Sequence, residues 1–528
     1  MFRFMSLAAV LCLAVSVIPA QAELQNVQVG GELRIKMDLI YNWAVEPGPV
    51  EIRVPAFLLP NRPIGEFLSG APAFNGLGLV SPYAWDEKTN NLTLTEQRTR
   101  LNVKADFTQE VAAFLELESY DIWGQDFRSN YVTGVDSTAV TGDDVEMYQA
   151  YIDVNEMYGM PLRLRIGRQE LAFGSQWLVG PKDFGPFYRG RSFDALRLTY
   201  ATDITTIDAW YSTLAEGGAN EEDEDVAFYG VYATCKALEN IAFDAYWLWV
   251  RDATSLNDTN FVAPIEWLED AFDLDDYDVT NLHTVGLRAS GMFGSFDFDV
   301  ETAYQFGDAD QNGFFFKPFL YGDDNAEYDA WGLTAQLGYT FDIAWHPRVF
   351  AKYAFYEGED NRDISFGQWL NPFDQPEASV SFNRLFSNQM YNGFFDLQND
   401  LSNAHVFMIG GQAHPTEAID LIWDVEYIIA DEPFDSPKTV SLGGFKVPLA
   451  PALSFWTDEG DDELGWVTDI VLIYHYSEDL MFSAHWSHLF AGGGLEDGSF
   501  FAGNGTIFGG GSDDDDGDFI TFETRICF

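Results

Sequence analysis

The chain has 528 residues, of which 84 are acidic and 28 are basic, so its formal net charge is −56. With 47% hydrophobic and 16% aromatic residues, it is too apolar for a disordered polyelectrolyte. A charge of this sign and size excludes nucleic acid as a partner, because binding phosphates requires a basic surface. The length permits two or three soluble domains or one large β architecture, and the aromatic content favours the second.

The first 22 residues have the organisation of a secretory signal peptide. Arg3 precedes the apolar stretch from Leu7 to Ile18, and Ala20-Gln21-Ala22 forms a small-residue cleavage site. A buried N-terminal helix is the alternative, but it leaves the cleavage site unexplained. We therefore expect the chain to be exported, with residues 1–22 removed and residues 23–528 forming one domain.

Two cysteines follow the signal segment, Cys235 and Cys527, so the chain has no disulfide framework. Neither lies in a CxxC motif or beside a histidine, and the sequence alone leaves a bridge between them open. No stretch of about 18 uncharged apolar residues follows residue 22, which argues against a membrane-spanning helix. A closed barrel is the remaining way for such a chain to cross a membrane.

Apolar and polar side chains alternate in segments of about ten residues, which is the period of a two-faced strand. For example, Phe296, Phe298 and Val300 alternate with Asp297 and Asp299. The pattern predicts about eighteen strands, an even number as in bacterial outer-membrane barrels. The predicted strands span 28–43, 95–107, 110–121, 145–155, 161–170, 191–201, 205–213, 226–237, 240–251, 280–292, 295–306, 328–342, 345–357, 403–413, 417–429, 464–476, 478–490 and 517–528.

Short and long connections alternate between these strands. The links at 202–205 and 293–295 are short, whereas 44–94 and 358–402 are long. This alternation predicts an antiparallel up-and-down transmembrane β-barrel with short periplasmic turns and long extracellular loops. Aromatic residues concentrate near the predicted strand ends, as in the two interface girdles of a membrane barrel, and the last predicted strand ends on Phe528.

Two other classes of protein stay open as alternatives. One is an outer-membrane barrel enzyme, and the other is a secreted soluble carbohydrate-binding β protein. No Walker loop, HExxH or GxSxG motif occurs, so we expect no catalytic residues, no metal site and no cofactor. The acid runs at 221–225, 270–278, 458–463 and 513–518 suit Ca²⁺, but a solvated acidic surface is the favoured interpretation.

Three motifs between residues 95 and 200 are more specific than the strand pattern. They are Glu96-x-Arg98-x-Arg100, the segment from Arg163 to Gly174 (RLRIGRQELAFG), and the segment from Gly190 to Arg197 (GRSFDALR). The closing strands add Tyr474-His475-Tyr476 and Ser487-His488-Leu489-Phe490. With these motifs the chain resembles the alginate export family of outer-membrane β-barrel porins, and the layout of most of the mature chain is similar.

The resemblance implies a lumen lined by arginines that attract an alginate-like polyuronate. The matching candidates, together with a lysine on the same face as the first two, are Arg98, Arg100, Lys104, Arg163, Arg165, Arg168 and Arg197. An arginine facing lipid at mid-membrane costs about 2–4 kcal/mol, so the faces with Arg98 and Arg100, and with Arg163 and Arg165, should point inward. The alternative is that these arginines pair with lumen acids and brace the wall without contacting a solute.

The inferred inward faces also carry acids, among them Glu116, Glu118, Asp297 and Asp299. We therefore expect an arginine stripe on one side of the lumen and an acidic wall on the other, with modest charge selectivity. The expected function is passive transport or export of small polar solutes or a saccharide. The expected location is the outer membrane of a Gram-negative-type bacterium, in contact with lipid and lipopolysaccharide, after insertion by the barrel assembly machinery.

Overall fold

The structure is a computed structural model that describes the strands, their turns and part of the long loops. The predicted signal segment and most of the acid runs lie outside the described residues. The described residues are 25–41, 91–108, 110–124, 145–185, 188–216, 225–253, 279–309, 326–358, 378–395, 401–432, 439–442, 445–448, 462–496, 508–509 and 516–528.

Eighteen long strands form the wall of the molecule within these residues. Their bounds differ from the predicted ones by about three residues or fewer at each end. They are β1 Asn26–Tyr41, β2 Leu92–Asp106, β3 Val111–Ile122, β4 Glu146–Val154, β5 Leu162–Gln169, β6 Phe193–Ala201, β7 Thr205–Ala215, β8 Val226–Leu238, β9 Ile241–Asp252, β10 Thr280–Phe293, β11 Phe296–Asp308, β12 Ala326–Thr340, β13 Arg348–Tyr356, β14 Ala404–Thr416, β15 Ile419–Ala430, β16 Glu463–His475, β17 Leu480–Ala491 and β18 Gly517–Cys527.

The wall closes on itself because β1 pairs with β18 as well as with β2. In this closing ladder Ile40 lies opposite Phe519. Beyond the ladder, the Phe528 N–H donates to the Gly31 carbonyl at 3.0 Å, and the Gly31 N–H donates to the Phe528 carbonyl at 2.9 Å. Every long strand is antiparallel to its neighbours, so the predicted closed barrel without sheet edges is confirmed.

Side chains alternate between the two faces of each strand. On β11, Asp297 and Glu301 point inward, whereas Phe296 is 51% exposed on the outer face. Other large apolar side chains on the outer face are equally open, such as Leu287 at 63% and Ile409 at 62% exposure. A continuous apolar outer surface of this kind is stable against lipid rather than water.

Aromatic rings gather at both ends of the strands, as predicted. At one end the ring centroids of Tyr229 and Trp249 are 4.7 Å apart, and the ring of His283 follows at 5.3 Å from Trp249. At the other end Phe296 and Tyr339 are 4.7 Å apart. Two such rings of aromatic side chains are typical of the interfaces of a membrane barrel.

The connections separate into a short-turn end and a long-loop end. Two connections at the long-loop end fold back into the barrel. The first inward loop consists of residues 170–185 and 188–192, between β5 and β6, and the second inward loop consists of residues 381–395 and 401–403, before β14. Val179 and Phe386 join the two loops in a parallel bridge. The interior is therefore narrowed by two segments that contact each other.

The remaining described elements are small. The strand Ala378–Val380 pairs in parallel with β12, and Thr439–Leu442, Phe445–Pro448 and Phe508–Gly509 form a separate antiparallel sheet. A 3₁₀ turn spans Met157–Gly159, and one helical turn spans Gly493–Glu496. No helix within the described ranges has the length and apolar character that crossing a membrane requires.

Both cysteines outside the predicted signal segment are free. Cys235 lies in β8 and Cys527 in β18. The bridge between them that the sequence left open is therefore absent.

A buried apolar cluster lies between the inward loops and the wall. Trp177 of the first inward loop and Phe394 and Phe395 of the second are fully buried in it, together with Phe228 and Tyr356 from the strands. Burial of these rings stabilises the folded position of both loops.

Candidate functional site

Arg98 on β2 points into the barrel and contacts the first inward loop. Its guanidinium is fully buried, and Nη2 donates to Glu32 Oε1 at 2.5 Å. Nη1 donates to the Tyr188 carbonyl at 2.8 Å and to the Asp183 carboxylate. Burial raises the pKa of the Asp183 carboxyl, but the donor from Arg98 outweighs it and holds that pKa below its ordinary value.

Arg100, two residues further along β2, also points into the barrel and contacts the first inward loop. Nε donates to Glu118 Oε2 at 2.5 Å, and Nη2 donates to the Arg189 carbonyl of the first inward loop at 3.0 Å. The guanidinium lies 3.8 Å from the centroid of the Tyr148 ring, whose hydroxyl donates to Glu170 at 2.6 Å. Burial raises the pKa of the Glu170 carboxyl.

Two further basic residues, on β1, were not among the predicted candidates. Arg34 Nη2 donates to Glu523 Oε2 at 2.6 Å, and Nη1 donates to the Asp183 carbonyl at 3.1 Å. Lys36 donates to the Gly185 carbonyl. We call Arg34, Lys36, Arg98 and Arg100 the basic cluster, and all four donate to carbonyls of the first inward loop.

The ring of Tyr188 lies at the centre of the basic cluster. Its centroid is 4.3 Å from the Arg34 guanidinium, 4.9 Å from the Lys36 ammonium and 5.1 Å from the Arg98 guanidinium. Cation–π contacts of this kind are strongest where water is excluded. The basic cluster therefore fixes the loop that narrows the lumen, and each of its charges has a carboxylate partner.

A second group of predicted arginines lies on β5 and β6, facing inward. Arg165 forms a bidentate pair with Asp153, with two distances of 2.8 Å. Arg197 Nε donates to Asp208 Oδ1 at 2.8 Å. These two charges are neutralised across neighbouring strands, which is the bracing arrangement that the sequence left as an alternative.

Some guanidinium groups among the described residues form no ion pair with a carboxylate, among them those of Arg163 and Arg191. Arg163 donates to Thr199 Oγ1 at 3.2 Å, and its Nε has no hydrogen-bond partner. Arg191, in the first inward loop, lies 5.3 Å from the Phe386 ring, and its Nη1 has no partner. Burial lowers the pKa of Arg191 to about 10, so it remains charged at neutral pH.

Arg168 departs from the expected placement. It has the opposite parity to Arg163 and Arg165 on β5 and lies on the outer side with Ile166. There it forms a bidentate pair with Asp194 at 2.8 Å, and the two side chains are 44% and 56% exposed. The prediction that Arg168 lines the pore is therefore wrong, because the alternation of side chains along β5 places it on the outer face.

Two other predicted residues lie in the interior but away from the inward loops. Lys104, near the short-turn end of β2, is 3.5 Å from Asp106 and half exposed. Glu116 on β3 accepts from Gln149 Nε2 at 2.8 Å. Neither contributes to the contact with the loops.

The predicted acids of β11 are also paired. Asp297 accepts two bonds from Arg348 on β13, at 2.5 and 2.9 Å. Asp299 accepts two bonds from Arg288 on β10, at 2.5 and 2.8 Å. These arginines were not among the predicted candidates, because both lie outside the motifs between residues 95 and 200.

An acidic group without arginine partners lies on a separate part of the wall, on β15 and β16. Asp424 and Glu426 on β15 and Asp469 on β16 point inward. His485 Nε2 is 2.6 Å from Asp469 Oδ1, and none of the described arginines pairs with the three acids. The described interior therefore has carboxylates without arginine partners on β15 and β16 as well as the unpaired guanidinium groups of Arg163 and Arg191.

The two inward loops are bonded to each other. The Gly180 N–H donates to the Phe386 carbonyl at 2.8 Å, and the Asn388 N–H donates to the Gln176 carbonyl at 2.9 Å. Trp177 Nε1 then donates at 2.8 Å to the hydroxyl of Tyr356 on the wall. The contacts make the loops one structural unit, so the basic cluster holds the second loop through the first.

In the described residues no three His, Cys, Asp or Glu side chains converge on a metal position. The acid runs considered for Ca²⁺ fall mostly outside those residues.

A closed barrel with an apolar outer belt, a charged interior and inward loops defines a channel protein of the outer membrane. Residues 86–426 match the alginate export family, and the chain belongs to this family. It is thus an outer-membrane channel for small solutes or a saccharide, a transporter rather than an enzyme.

Several solved bacterial porins are similar to the chain in fold. Pseudomonas aeruginosa OpdL is 11% identical, with a TM-score of 0.48, over 95% of this chain and 99% of that one. P. aeruginosa OccK8 (OprE) is 12% identical, with a TM-score of 0.46, over 95% and 98%. The anion-selective porin from Comamonas acidovorans is 10% identical, with a TM-score of 0.39, over 95% and 99%. No curated protein sequence matches the chain.

Proposed function

We propose that the channel passes small polar solutes, above all neutral or weakly charged saccharides, by passive diffusion with modest charge selectivity. The observation that carries this proposal is the pairing of the lumen arginines. Arg98, Arg100, Arg165 and Arg197 each form an ion pair with a carboxylate. Paired charges cancel at a distance, so the wall offers a polyanion little net attraction.

The acidic side of the lumen gives the selectivity its sign. Asp424, Glu426 and Asp469 have no arginine partner, whereas most of the lumen arginines are paired with carboxylates. The channel therefore favours a small cation over a small anion. The electric field across the lumen orients the dipole of a polar solute that passes through.

An anionic uronate saccharide is the second candidate solute. It is favoured by the family description and by the unpaired guanidinium groups of Arg163 and Arg191. Charge-assisted bonds from such groups to a sugar carboxylate would give affinity even in a lumen of low net positive charge.

Reversal potentials across planar bilayers under a KCl gradient distinguish the two candidates. We expect a permeability ratio for K⁺ over Cl⁻ of roughly 2 to 5, from partial focusing by the acidic side. The Arg163→Gln variant should move the ratio further towards K⁺. Strong anion selectivity in the wild type would contradict the first candidate and support the uronate.

The cellular setting follows from the same proposal. The chain is exported with removal of residues 1–22 and is inserted by the barrel assembly machinery of a Gram-negative-type bacterium. The short turns then face the periplasm, and the long loops face lipopolysaccharide and the exterior. N-terminal sequencing of protein from an outer-membrane fraction should begin at Glu23. Recovery of the protein with Met1 retained would contradict cleavage.

A further inference from the structure

Three carboxylates lie on neighbouring positions of the inner wall, away from the basic cluster. Asp424 on β15 is directly opposite Asp469 on β16, and Glu426 is two residues further along β15 on the same face. Ser487 on β17 is directly opposite Asp469 on its other side. Side chains opposite each other in an antiparallel pair have Cβ atoms about 4.5–5.5 Å apart, so these groups are in mutual contact range. We call Asp424, Glu426 and Asp469 the carboxylate cluster.

Most of the cluster is buried, and one oxygen of each carboxylate has no donor. Glu426 and Ser487 are completely buried, and Asp469 is 7% exposed. Asp424 Oδ1, Glu426 Oε1, Asp469 Oδ2 and Ser487 Oγ have no hydrogen-bond partner. Buried carboxylates that are adjacent and lack partners cannot all be ionised, because each charge would be both desolvated and repelled by its neighbours. A proton on Glu426 Oε1 would supply a donor to Asp469 Oδ2 or Asp424 Oδ1.

The neighbouring strands bring two basic groups towards the cluster. His485 on β17 is 2.6 Å from Asp469 Oδ1. Lys352 on β13 is in register with Glu426 on β15 across one position of β14, and its Nζ donates to Gln389 at 3.1 Å.

The other elements packed against the cluster are largely uncharged. β14 presents Met408 between Lys352 and Glu426, and β18 presents Phe519, whose ring is 6.0 Å from His485. In the second inward loop the Arg384 guanidinium lies 5.1 Å from the Tyr391 ring. Towards the short-turn end, Asp420 is bonded to His414 and His475. Three ionised carboxylates would exceed the charge of Lys352 and His485 by one, and one shared proton removes that excess.

The second inward loop rests on the cluster through one side chain. Asn392 Nδ2 donates to Glu426 Oε2 at 2.9 Å, and Asn392 Oδ1 accepts from the N–H groups of Phe394 and Phe395 at 3.0 and 2.9 Å. Both phenylalanines are fully buried behind this turn. Asn392 therefore connects the position of residues 391–395 to Glu426.

We propose that the carboxylate cluster is a proton switch that controls the position of the second inward loop. With a proton shared between Glu426 and its neighbours, the cluster is dry and Asn392 keeps residues 391–395 seated. When that proton leaves to lumen water, the ionised cluster recruits water, the Asn392 contact opens and the lumen widens. The switch rests on the proposed channel function and adds to it a dependence of conductance on pH.

Single-channel conductance of the full-length protein, measured from about pH 5 to about pH 10, tests the switch, since buried carboxyl groups titrate as high as about 8–9. We expect a stepwise increase of about two-fold in the wild type as the pH rises, from the added lumen cross-section. In Glu426→Gln the amide N–H replaces the shared proton, so the conductance should stay at the low value throughout. In Asn392→Leu it should be high at every pH.

Asp208→Asn is the matched control, because it removes another inward carboxylate that is paired with Arg197 instead. This variant should keep the pH step. Heat-modifiable migration on a gel confirms that each variant forms a barrel. A step that persists in Glu426→Gln, or a conducting wild type without any step, would overturn the switch and leave the channel intact. Absence of any conductance would instead refute the proposed channel.

Discussion

Replacing Arg98 by alanine should release the first inward loop. The change removes donors to Glu32, to Asp183 and to a loop carbonyl, all around a guanidinium that is fully buried. Breaking a buried ion pair by deleting one partner costs about 3–5 kcal/mol. Asp183 retains Arg34 at 3.5 Å and Glu32 retains Arg525 at 2.5 Å, so we take the lower end, about 3 kcal/mol. At about 1.4 kcal/mol per factor of ten, the equilibrium between bound and released loop shifts by roughly a hundred-fold.

The assay is single-channel recording in planar bilayers. We expect Arg98→Ala to show a larger mean conductance and frequent transitions between levels, because a released loop samples several positions in the lumen. Arg168→Ala is the matched control, since it breaks an arginine–aspartate pair on the outer face of the same barrel. That pair is half exposed and worth about 0–1 kcal/mol, so its loss should leave the conductance unchanged. If Arg98→Ala has the wild-type conductance and noise, the basic cluster does not hold the loop.

Three further perturbations have defined outcomes. Burial raises the pKa of Asp183, but the Arg98 donor lowers it by more, so the pKa lies below the ordinary 3.8. Ionised Asp183 therefore stabilises the loop fully above pH 3.8, and this stabilisation is lost as the pH falls through the lowered pKa. Open-channel noise should therefore rise below about pH 4 in the wild type, and at every pH in Asp183→Asn. In Gly31→Val the new Cβ would lie 2.6 Å from Phe528 Cζ, so the closing strands should lose about 1–3 kcal/mol, measured as a lower temperature for loss of the compact gel band. Trp177→Ala should cost about 3–5 kcal/mol of loop packing and raise the conductance, and an unchanged conductance would contradict the role of this ring.

The sequence predicted the barrel nearly completely because a membrane barrel repeats one simple rule. Each strand alternates apolar residues that face lipid with polar residues that face the lumen. Because a closed barrel needs this alternation in every strand, the same pattern recurs along the whole chain. The bounds of β11 and β18 could be located from periodicity alone. The fold of the inward loops could not, because these segments have no period, and their positions depend on contacts with distant strands.

The functional site was predicted in part. Alternation and the cost of arginine in lipid placed Arg98 and Arg100 inward, but their carbonyl partners depend on the path of a loop that periodicity does not encode. The same alternation was present around Arg34 and Lys36, between Leu33, Ile35 and Met37, and would have identified both. For Arg168 the error was the opposite one. Its motif suggested the lumen, whereas its position in the alternation of the strand places it on the outer face.

The most direct test of the central claim is the behaviour of detergent-extracted protein on a gel and in a planar bilayer. We expect a compact band that shifts on heating, together with discrete conductance steps, because a closed barrel resists detergent and encloses an aqueous path. A protein that stays soluble without detergent and produces no steps in the bilayer would contradict the account of a membrane channel.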